Sequence, residues 1–67
     1  MSPTYKMPDE ATRSRVAILQ DVQGALAAAR CAAEVAGCGT DDFLVRELLL
    51  ALIRQIDHAA AAVRRLA

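Results

Sequence analysis

"AGCGTDD", residues 36–42, holds two of the three glycines of a 67-residue chain within three positions, between two long stretches that both read as helix. Its reading decides whether the chain is one long helix, a hairpin, or a fold built around the thiol of Cys38. Gly37 suits the left-handed conformation that often ends a helix, and Gly39 loosens the reversal that follows. Thr40 is a good N-cap, and Asp41 and Asp42 put negative charge at the positive end of a second helix dipole. The stretch therefore predicts a turn between two helices, with Cys38 as a turn residue.

Upstream, Pro8, Asp9 and Glu10 mark a helix start by the same chemistry. From there Leu19, Val22, Leu26, Ala29, Ala33 and Ala36 recur in steps of three and four, which places them in one stripe. Arg13, Gln20, Gln23, Arg30 and Glu34 fall on the other side, Arg30 and Glu34 being spaced for an ion pair. Downstream, Val45, Leu49, Leu52, Ile56, Ala59, Val63 and Leu66 form a second stripe, and Asp42 is spaced to pair with Arg46. Arg64 and Arg65 suit the negative end of that helix. The expected fold is all-α: an antiparallel helical hairpin with helix 1 at about 9–36 and helix 2 at about 41–66. Residues 1–8 form a lead-in of loose periodicity in which Tyr5 is the only aromatic, and 9–67 form the hairpin domain. Pairing the helices about the turn sets Cys31 near Arg46 and His58 near Leu19 or Gln20.

Composition limits what such a hairpin can be. A chain of this size buries a modest core, so association, a metal or disulfides often supply the rest. Fifteen alanines and two aromatic residues leave little side-chain mass for that core, while favouring close helix packing. Helix 2 is apolar beyond one stripe, with Phe43, Leu44, Leu48, Leu50 and Ile53 flanking the seam. They form an expected dimer or partner interface, with Phe43, Leu44 and Leu50 foremost for a partner. Two hairpins packing as a four-helix bundle would bury such a surface twice.

Chemistry is sparsely represented. Seven helical residues set Cys31 and Cys38 about 10 Å apart, farther than a disulfide spans, two cysteines are too few for a disulfide scaffold, and with His58 they match no metal-ligand spacing. No metal or cofactor is expected. Cys38 is the one candidate redox thiol, next to a helix N-terminus that favours thiolate. His58 beside Asp57 has no nucleophile within a turn, and phosphate-loop, dinucleotide and zinc-protease motifs are missing from the sequence. Eight basic residues balance eight acidic ones, so net charge selects no partner. The longest apolar run carries Arg46 and Glu47 and falls short of the roughly 20 residues that span a bilayer. No signal segment opens the chain, so the reading is cytoplasmic.

The functional expectation is a small non-enzymatic module for protein–protein interaction, a regulator, adaptor or inhibitor acting as a homodimer. The competing expectation is an RNA- or DNA-binding bundle that uses Arg13, Arg15, Arg64 and Arg65 at the open end of the hairpin. Salt separates the two, because phosphate contacts weaken steeply as salt rises and apolar burial does not.

Overall fold

The computed structural model describes residues 9–66 and shows two helices packed against each other, α1 over Glu10–Cys38 and α2 over Phe43–Leu66. No strand occurs among the described residues. The lead-in expected over 1–8, with Tyr5 and Lys6, lies outside them. The all-α hairpin stands as the sequence predicts, with α1 ending two residues later and α2 starting two residues later than expected.

Asp9 opens α1: its Oδ1 accepts the Thr12 N–H at 2.7 Å, in a backbone conformation outside the helix. Those hydrogen bonds from Thr12 favour the carboxylate and hold the Asp9 pKa below its ordinary value. The other end of α1 closes without a left-handed residue. Gly37 stays helical, and Gly39, at φ −92° and ψ 2°, shares its N–H between the Val35 and Ala36 carbonyls at 3.2 Å each. A tightened last turn therefore satisfies carbonyls that a left-handed glycine would otherwise have capped. Cys38 becomes the last residue of α1 and not part of the turn.

The second start also differs in detail. Thr40 Oγ1 accepts the Asp42 N–H at 3.2 Å and shapes the turn, whereas Asp42 Oδ1 accepts the Val45 N–H at 3.0 Å and is the N-cap. Having its carboxylate committed to the backbone, Asp42 does not pair with Arg46, whose Nε points to the Gly37 carbonyl at 3.5 Å.

Between the helices the half-buried and buried positions of α1 are Leu19, Gln23, Leu26, Arg30, Ala33 and Gly37, and those of α2 include Leu49, Ile53, Ile56, Ala60 and Val63. Leu19, Leu26, Ala33, Leu49, Ile56 and Val63 are as expected. Val22, Ala29, Ala36, Val45, Leu52 and Leu66 are exposed, so each seam is turned by about 50° from the predicted stripe. Ile53, expected outside the seam, lies in it.

The register differs as well. Arg30 donates from Nε to Asp57 Oδ1 at 2.7 Å and from Nη2 to Oδ2 at 3.2 Å, while its Nη1 reaches Glu34 at 2.6 Å. A methyl group at Gly37 would stand 3.9 Å from Leu49 Cδ1. Both contacts set α2 about nine or ten residues further along than simple pairing about the turn, because α2 begins beyond the end of α1 instead of folding straight back on it. The first turns of α1 accordingly project past Leu66.

Candidate interaction surface

The packing leaves a thin core. Among the described residues only Ala33, at 5% exposure, and Ile56, at 8%, are buried. Eleven large aliphatic or aromatic side chains remain exposed, and helical geometry sorts them by face.

At about 100° per residue, the seven ionisable residues of α2, Arg46, Glu47, Arg54, Asp57, His58, Arg64 and Arg65, crowd into an arc of roughly 120°. The rest of the circumference carries Gln55 as its one polar side chain. A single seam needs about 100° of apolar surface, and here Leu49, Ile53, Ile56 and Val63 supply it. The surplus lies to one side of the seam as Leu44, Val45, Leu48, Leu52 and Leu66, all exposed. On α1 an equivalent stripe flanks the seam: Ile18, Val22, Ala25, Ala29, Ala32 and Ala36, exposed and without charge. Antiparallel helices turn in opposite senses when viewed from one end, so the two surplus stripes fall on the same side of the hairpin. They make one charge-free face.

The opposite face is built differently. The Arg30 guanidinium bridges Asp57 on α2 and Glu34 on its own helix. Hydrogen bonds to Asp57 and then to Glu34 push the Arg30 pKa further up, and the Arg30 hydrogen bond lowers that of Asp57. All three side chains are about half exposed, so water screens the pairs and their main effect is to fix which residues of the helices stand level. Beside them a groove of about 540 Å³ runs between the helices toward the turn, with Ala33, Gly37, Leu49 and Ile53 inside and Phe43, Leu50, Arg46 and Glu47 along it.

The five residues that sequence reasoning groups as one interface therefore divide three ways. Leu44 and Leu48 belong to the charge-free face, Phe43 and Leu50 to the groove on the charged face, and Ile53 to the seam. Ile18, Val22 and Leu52 join the charge-free face although the sequence stripes do not assign them to it. The confinement of all α2 charges to one arc is the signal in the sequence that finds them.

Among the described residues Arg30, Arg46 and Arg54 lie along the hairpin, and the other four arginines stand at its open end. Arg64 lines a shallow cleft with Gln23 and Ala27, where its charge also favours the Asp57 carboxylate. Arg13 and Arg15 stand in the first turns of α1 and Arg64 and Arg65 in the last turn of α2, so the four arginines lie at the open end of the hairpin, spread over roughly 15 Å along its axis. Cys31 and Cys38 are free and exposed, Cys38 lining the groove. The observed register brings Cys31 and His58 closer in level than expected, but His58 is exposed on the outer side of α2. No group of three or more His, Cys, Asp or Glu suited to a metal occurs among the described residues, and no helix among them is long and apolar enough to cross a membrane.

Comparison with protein families, characterised proteins and solved structures finds no match to this chain.

Proposed function

We propose that the protein is a cytoplasmic, non-enzymatic interaction module: a helical hairpin that associates with itself into a four-helix bundle and in that form binds another protein as a regulator, adaptor or inhibitor. The observation that carries this reading is the contrast between two buried residues and eleven exposed large apolar ones. A hairpin whose seam buries so little gains too little from packing to offset the ordering of more than fifty residues. A second layer of helices supplies the missing burial, and a symmetric pair supplies it twice with one surface.

Two apolar surfaces on opposite sides give the bundle more than self-association. The groove with Phe43 and Leu50 is rimmed by both signs of charge, the anatomy of a surface that meets a partner while remaining soluble without it. The test is urea unfolding, followed by helix signal, at chain concentrations a hundredfold apart. A two-chain folded unit is stabilised by about 2.7 kcal/mol over that range, by the logarithm of concentration, and its midpoint rises accordingly. A midpoint independent of concentration removes the reading.

A further inference from the structure

The geometry points to the charge-free face as the surface on which a second copy of this chain sits, with the groove on the charged face left outside. This rests on the self-association proposed above and adds which of the two apolar surfaces is consumed by it.

Three observations name the occupant. The first is charge. A two-fold contact sets a face against itself, so any charge within it meets its own kind or is stripped of water. Over the length that α2 covers, the stripe with Val22 on α1 and that with Leu44, Leu48 and Leu52 on α2 carry none, and Arg15, one heptad before Val22, stands past Leu66 beyond the end of the face. The charged face fails the same test, since a second copy laid there would cover Arg30, Arg46 and Glu47 with a duplicate set.

The second is area. The 24 residues of α2, at about 1.5 Å each, and two helices about 10 Å apart give a face of roughly 36 by 20 Å, or ~700 Å² per copy and ~1,400 Å² per pair. Stable complexes bury ~1,200–2,000 Å² in total. One copy on this face is thus sufficient without any other component.

The third is shape. Leu44, Leu48 and Leu52 fill the half of the face nearer the turn, whereas Ala25, Ala29 and Ala32 of α1 with Ala59 and Ala62 of α2 fill most of the other half. A two-fold contact that sets the leucine half of one copy against the alanine half of the other lets bulky side chains fill the space over small ones.

Leu48 and Leu50 test the assignment, being two residues apart on one helix and similarly exposed in the single hairpin, at 62% and 50%. Leu48→Glu and Leu50→Glu make the same chemical change with the same effect on helix propensity, and differ in the face they alter. Full-length wild type and both variants are compared by sedimentation and helix signal at micromolar concentration. The expected result is a wild-type dimer, a Leu50→Glu dimer whose dissociation constant moves less than about threefold, and a Leu48→Glu chain that has lost at least about a hundredfold in association, a charge having been forced into an apolar contact.

If Leu48→Glu also loses its helices while Leu50→Glu keeps them, the assignment still holds, because Leu48 is more exposed than Leu50 in a lone hairpin and its packing there does not explain the difference. Should Leu50→Glu dissociate and Leu48→Glu remain dimeric, the face is wrong and the dimer survives. If both variants dissociate, more than one face is used and the assignment is likewise overturned. A folded wild-type monomer overturns both the assignment and the self-association beneath it.

Discussion

Gly24 offers a test of the face assignment that raises stability instead of lowering it. It lies in the middle of α1, and a methyl group built on it meets nothing within 4 Å. Helical wheel position sets it well away from the Ile18/Val22/Ala29 stripe, on the solvent side of α1. Glycine in a helix interior costs about 1 kcal/mol relative to alanine, mainly through the backbone freedom the unfolded chain loses. Gly24→Ala therefore stabilises each chain by about 1 kcal/mol, and a two-chain unit by about 2 kcal/mol. With a urea dependence of about 2 kcal/mol/M, within the range for small proteins, the midpoint rises by about 1 M. The assay is urea unfolding followed by helix signal, wild type and variant at the same chain concentration. A fall in the midpoint would refute the reasoning, since it would mean that position 24 meets a packed surface and that the second copy covers the wrong side of α1.

Gly39→Ala changes stability by less than about 0.5 kcal/mol, because φ is negative at Gly39 and a Cβ there makes only ordinary 3.7 Å contacts with the Val35 and Ala36 carbonyls; a loss of 1 kcal/mol or more in the same assay would restore the left-handed turn. Acid weakens the fold in a defined window. The pKa values of Asp9 and Asp57 lie below 3.8 in the folded chain, so their contributions are complete above that value and are lost as pH falls through the lower folded values. Thermal midpoints are then expected to be insensitive to these two groups between pH 5 and 8 and to fall below about pH 4, with the double variant Asp9→Asn and Asp57→Asn flattening the fall; an unchanged acid slope in that variant would assign the loss to other groups.

The two helices were legible because Leu49, Ile56 and Val63 repeat every seven residues against a strongly polar opposite arc. Asp9 was legible as a cap for a similarly local reason. In α1 the contrast is weaker. Alanines lie nearly all round it, so Val22, Ala29 and Ala36 make the better apolar stripe on paper, yet Gln23, Arg30 and Gly37 take the seam. The choice between them is made by contacts distant in sequence, Arg30 with Asp57 and Leu49 against Gly37, which periodicity within one helix does not contain. The turn failed in the same way at smaller scale: Thr40 and Asp42 are both good N-caps, and the hydrogen bond from the Asp42 N–H to Thr40 Oγ1 leaves Asp42 to serve. Leu48 and Leu50 read alike as surplus apolar residues until the α2 charges are placed on a wheel and α1 is laid beside them.

Sedimentation equilibrium of the unmodified chain at micromolar concentration tests the central claim most directly. The predicted result is a helical species of twice the 7.2 kDa chain mass that loses helix signal as dilution splits it. A stable helical species at 7.2 kDa, unchanged on dilution, would contradict it.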